Sequence, residues 1–149
     1  MSRLLDKEQY ELLASFRYAL RQFLRFSEEA ARAVGLEPQQ HQALLAVKGF
    51  PTQDPVTIGQ LADQLQIRHH SAVGLIDRLV AKGLFSRTSD RADRRQVSVA
   101  LTSRGEQLLE RLAATHQQEL RRMGPELISL LKLINRGERG LRNKVAMKV

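Results

Sequence analysis

The chain has 149 residues, 42% of them hydrophobic, which is enough for one ordinary globular domain over residues 1–149 with a core of its own. It contains no cysteine, so disulfides, thiolate metal sites and cysteine nucleophiles are excluded, and a reducing compartment such as the cytoplasm is expected. A formal net charge of +8 points to a polyanionic partner, whereas no apolar run approaches the roughly 20 residues that span a bilayer, so no membrane partner is expected.

In chain order, the first predicted element is a long helix from about Asp6 to Val34. Leu13, Phe16, Leu20, Phe23 and Leu24 follow helical spacing on it, and Tyr10, Tyr18 and Phe26 place aromatic surface on other faces. Gly35 is a natural stop. Pro38 suits a first helical turn and opens a shorter helix that ends near Gly49. GFPTQDP, residues 49–55, reads as a loop. Thr57 and Gln60 have the spacing of a capping box, which predicts a short helix with Ile58, Leu61, Ala62 and Leu65 inward and a turn near Ile67 and Arg68.

The next helix carries Ala72, Val73, Ile76, Leu79 and Val80 on one side and His70, Ser71, Gly74, Asp77, Arg78 and Lys82 on the other, with Gly83 as its stop. A short capped helix, a tight turn and a second amphipathic helix make a helix-turn-helix pattern. LFSRT and VSVAL then read as strands. The segment RTSDRADRR, residues 87–95, runs from one into the other with four arginines and two aspartates in nine residues, and no apolar side chain larger than alanine. It is predicted to be the turn of a basic hairpin, so the fold class is mainly helical with a small β-hairpin wing: a winged helix-turn-helix over residues 38–101. Asp90 and Asp93 are expected to fix arginine rotamers by pairing.

Thr102 or Ser103 is predicted to cap the following helix, Ser103 with Glu106 at capping-box spacing. Leu108, Leu109, Leu112, His116, Leu120, Met123 and Leu127 continue a stripe along it; Gly124 and Pro125 are expected to break or kink it before a last apolar helix, ELISLLKLI. Residues 1–36 and 102–135 are not needed to complete a winged-helix core and are expected to form a dimerisation region. Residues 136–149 are expected to be a solvated basic tail.

The excess charge is localised. Residues 68–104 carry eight basic and three acidic groups and residues 132–149 six and one, while the two stretches between and before them are nearly balanced. A hairpin tip studded with guanidinium groups is suited to phosphates or a narrow minor groove. Other chemistries find no residues. Adjacent His69 and His70 diverge on a helix and cannot chelate a metal together with Asp77. His41 and His116 read as packed or hydrogen-bonded side chains. No phosphate-binding glycine loop, serine nucleophile motif or paired catalytic carboxylates appear, so neither a cofactor nor an enzyme activity is expected.

The run LADQLQIRHHSAVGLIDRLVAKGLFSRTSDRADRRQVSVALTSRGEQLL resembles the MarR family of bacterial transcription regulators. Its most specific part is Leu75 to Gly105, where IDRLVAKGL is followed by an arginine, by DRR, and by a strand ending in LT and a glycine. The resemblance implies a dimeric winged-helix repressor that binds double-stranded DNA at a pseudo-palindromic operator and is released by a small aromatic or anionic effector. It makes the helix beginning near Arg68 the recognition helix, so that Arg68, His69, His70, Ser71, Gly74 and Arg78 face the major groove, with Gly74 allowing close approach. It makes Asp93, Arg94 and Arg95 the wing motif, in company with Arg87 and Arg91, and makes Asp77 the acid that braces Arg95 while Arg94 stays the freer tip. Phe16, Leu20, Leu112, Leu120, Leu127 and Leu131 are expected in the subunit interface, with a partly apolar cleft for the effector beside the winged helix. The absence of cysteine removes any thiol-based peroxide sensing. A rival reading of the same residues is a winged helix used as an architectural or protein-interaction module without operator specificity.

Overall fold

The computed structural model describes residues 4–89 and 96–146, the last ten of these as helix backbone. Five helices and three short strands follow in the order α1 (Lys7–Ala33), α2 (Pro38–Lys48), β1 (Val56–Thr57), α3 (Ile58–Leu65), α4 (His69–Ala81), β2 (Phe85–Ser89), β3 (Val97–Leu101) and α5 (Ser103–Ala146). They fall into two compact units, Glu28–Thr115 on one hand and Met1–Ser27 with His116–Val149 on the other. No helix among the described residues is long and apolar enough to cross a membrane.

The first unit is a winged helix. Its three strands form an antiparallel sheet in the order β1-β3-β2, with Val56 opposite Val99 and Phe85 opposite Leu101. The predicted hairpin is therefore joined by a third strand. β1 is two residues long, too short to leave a period in the sequence, and exists because β3 offers it a free edge. Leu44, Leu61, Leu75, Ile76, Leu79, Phe85 and Val99 are fully buried and tie the helices to the sheet. Leu112 belongs to this core at 3% exposure, which corrects its expected place between subunits: the start of α5 packs on the winged helix of its own chain.

Three of its helices end by one device. After α1, the Leu36 N–H reaches the Ala31 carbonyl and the Gly35 N–H the Arg32 carbonyl; Ile67 and Gln66 do the same after α3, and Leu84 and Gly83 after α4. In each, a residue at positive φ (Gly35 +80°, Gln66 +53°, Gly83 +70°) reverses the chain and delivers an apolar side chain to the core. Gln66 alone has a Cβ in this conformation, which costs roughly 1 kcal/mol. Gln66→Gly is accordingly expected to raise the stability of the unit by roughly 0.5–1 kcal/mol, as a shift in denaturant midpoint at constant slope.

α5 runs without interruption through Gly124 and Pro125, so the expected break does not occur. Pro125 is exposed, and the Arg121 carbonyl that its missing N–H leaves unpaired belongs to an equally exposed residue, where water can take its place. The helix also continues to Ala146, through most of the expected tail. In the second unit Ala19 and Met123 are buried. His116 Nε2 is 2.8 Å from the Ser27 hydroxyl, and Phe23 and Phe26 meet its ring edge to face. Phe26 thus shares the inner side of α1 with Phe23, three residues apart on a 3.6-residue turn, instead of facing elsewhere.

Candidate nucleic-acid interface

α3, the turn at Gln66 to Arg68 and α4 form the helix-turn-helix. The Thr57 hydroxyl accepts the Gln60 N–H at 3.1 Å while Gln60 returns its side-chain oxygen to the Thr57 N–H at 3.0 Å, closing the predicted capping box. Ala72, Leu75, Ile76 and Leu79 bury the inner face of α4. The opposite arc presents His70, Ser71, Asp77 and Arg78, all exposed, around a half-buried Gly74; Arg68 and His69 are exposed at its start. Of the residues expected to face a major groove, His70, Ser71, Gly74 and Arg78 share this arc, while Arg68 and His69 stand at the start of the helix.

Two of them are poor choices for a helix. Arg68 is the N-cap of α4 and makes no side-chain capping bond, where Ser, Thr, Asp or Asn would satisfy an orphan N–H and suit the helix dipole. Gly74 lies mid-helix at a cost of about 1 kcal/mol relative to alanine. Nothing among the described residues requires it: of these, a Cβ there would meet only the Arg78 guanidinium, at an ordinary 3.5 Å. Local rules broken on an exposed face, without compensation inside the fold, mark a surface selected for something outside it.

From the wing, Arg87 on β2 forms an ion pair with Asp77 on α4. The described partner of Asp77 is thus an arginine of the first wing strand. Arg95, for which the bracing role was expected, lies outside the described residues, as do Arg91, Asp93 and Arg94. Arg87 itself, expected among the groups facing a nucleic acid, is engaged by α4. The pair is half exposed, so its contribution to stability is at most about 1 kcal/mol, and its effect is to orient β2 against α4.

Lys82, expected on the polar face of α4, instead ties that helix down: its ammonium donates to the Gly35 carbonyl at 2.7 Å and to the Gln40 side-chain oxygen at 3.0 Å. At the joint between β3 and α5, one of the two expected caps is used. Thr102, not Ser103, caps α5, accepting the Gly105 N–H at 3.1 Å while donating to the Gly83 carbonyl at 2.7 Å. Glu106 forms no box with Ser103 and pairs with Lys48 at 2.7 Å. Gly105 is buried so closely against Leu84 that a Cβ would overlap the Leu84 carbonyl. The LT-x-x-G spacing was the available signal, and its physical reason is this contact.

Residues 34–96 match the family model of the MarR family. The HTH-type transcriptional regulator YsmB of Bacillus subtilis, itself uncharacterised, is 34% identical over 68 residues, 46% of this chain, and the match spans about half of that relative's length. Among solved structures, AbsC of Streptomyces coelicolor, a MarR family transcriptional regulator, shares the fold with a TM-score of 0.71 over 95% of this chain and 99% of its own at 20% identity. The DNA complex of MepR from Staphylococcus aureus shares it with a TM-score of 0.65 over 91% of this chain and 96% of its own at 21% identity. The chain is thus similar to the MarR family over residues 34–96 and shares its fold with these solved structures over nearly its whole length.

Proposed function

We propose that the protein is a sequence-specific DNA-binding transcription regulator without enzymatic activity, acting as a homodimer on a pseudo-palindromic operator with α4 in the major groove. The observation that carries this reading is the exposed face of α4, where Arg68 and Gly74 sacrifice helix stability in favour of charge and close approach. A structural relative solved on DNA supports it. The dimer is supported by where the apolar surface lies. Of the large hydrophobic residues exposed among the described residues, all but Val34 and Leu45 belong to the segments up to Leu24 and beyond His116, among them Leu120, Ile128 and Leu131. Two copies related by a twofold axis place the half-sites roughly 34 Å apart. Repression relieved by a small aromatic or anionic effector is the mode the family resemblance supports, and a change in operator affinity across a panel of aromatic acids tests it.

The regulator reading is tested against an architectural module by titrating the protein with its own promoter duplex and with random duplex at equal salt. A preference of about a thousandfold is expected; equal binding overturns the reading. The same titration assigns the role of Asp77. Asp77→Ala removes a negative charge and strengthens binding to both duplexes if charge alone matters. If Asp77 orients Arg87, operator affinity falls several-fold while random binding does not. Arg87→Ala should then reproduce the loss, and the double variant should lose no more than either single one.

A further inference from the structure

We propose that Arg78 selects a guanine in each operator half-site, and that Gly74 is the bare surface on which its guanidinium is laid. The inference rests on the reading of α4 as the DNA-facing helix and names the base-reading residue within it. Side chains on a helix lean toward its N-terminus. Arg78 follows this rule, bringing Nη1 to within 3.5 Å of the point where a Cβ at Gly74 would stand, one turn before its own Cα. The planar fork is therefore held against the middle of the exposed arc, beside His70 and Ser71, and not at the C-terminal end of the helix.

The neighbouring cations are already committed. Arg87 is taken by Asp77 and Lys82 by the Gly35 carbonyl and Gln40. Arg78 has no carboxylate within ion-pair distance among the described residues, so its five donors are available to an outside acceptor. A guanidinium presents two parallel N–H groups, and the major-groove edge of guanine offers two matching acceptors, O6 and N7. Adenine puts a donor at one of those places and thymine a methyl group nearby. A phosphate would accept the same fork, and that is the alternative to be separated.

The readout is base preference at every operator position, measured with duplexes randomised one position at a time. The wild-type protein should prefer guanine at one position per half-site by roughly ten- to a hundredfold. Arg78→Ala should reduce the preference at that position to near unity and leave the others as they are. Gly74→Val, whose added γ carbons occupy the bed of the guanidinium, should do the same while keeping a melting temperature no lower than wild type, because valine is the better helix former. Gly74→Ala adds only the Cβ that fits at 3.5 Å and should keep the guanine preference. An Arg78→Ala protein that keeps every preference, or loses affinity for all duplexes alike as a phosphate contact would, overturns the inference and leaves the regulator reading standing. A wild-type protein without preference at any position overturns both.

Discussion

Gly105→Ala is expected to destabilise the winged-helix unit by about 3 kcal/mol, the upper part of the range for overpacking, because the new methyl group meets a backbone carbonyl and not the end of a flexible side chain. The Leu84 carbonyl cannot withdraw freely, since it accepts the Thr102 N–H at 3.0 Å, and Leu84 is itself the apolar residue that closes the end of α4. Nor can the start of α5 retreat without giving up the Thr102 hydroxyl as its cap. Urea unfolding followed by circular dichroism checks the value. Gly74→Ala provides the control, a glycine in the same unit whose replacement should be neutral or stabilising by up to about 1 kcal/mol.

Leu131→Glu is expected to leave the winged-helix unit folded and to abolish the proposed dimer. Leu131 is 45% exposed in the single chain, so a carboxylate there meets water in the monomer and an apolar partner surface in the dimer, where its burial is opposed by several kcal/mol. Sedimentation at micromolar concentration should show a monomer. Operator affinity should fall by about a hundredfold or more, the advantage of binding two half-sites together, while single half-site binding persists. A dimer that survives Leu131→Glu and Leu120→Glu together would place the subunit contact elsewhere.

What could be read from the sequence was what neighbours along the chain decide. VSVAL is β3 residue for residue, Thr57 and Gln60 form their box, and Gly35 and Gly83 stand at positive φ where helices stop. Each is a signal confined to a few consecutive residues. The exposed arc of α4 was legible for the same reason, since 3.6-residue periodicity separates His70, Ser71 and Gly74 from Ala72, Ile76 and Leu79. What escaped depends on partners distant in sequence. Glu106 had a local choice in Ser103 and a remote one in Lys48, and spacing ranks only the first. Asp77 had four arginines of the wing segment within reach of the same argument, and only the fold says that Arg87 meets it. β1 owes its existence to β3, 40 residues away in the chain.

The three matching helix ends determine where this chain tolerates changes of length. Leu36, Ile67 and Leu84 each follow immediately on the residue that reverses the backbone, and each reaches the core only because the next hydrogen-bonded step is one residue long. Adding or deleting a residue at Gly35, Gln66 or Gly83 would turn the apolar side chain away from the interior and bring a polar one in. Pro51 to Pro55 bear no such constraint, being exposed throughout. Among these segments, insertions and deletions compatible with folding are thus expected in the approach to β1, and relatives of different length are expected to differ there while keeping the spacing of all three reversals.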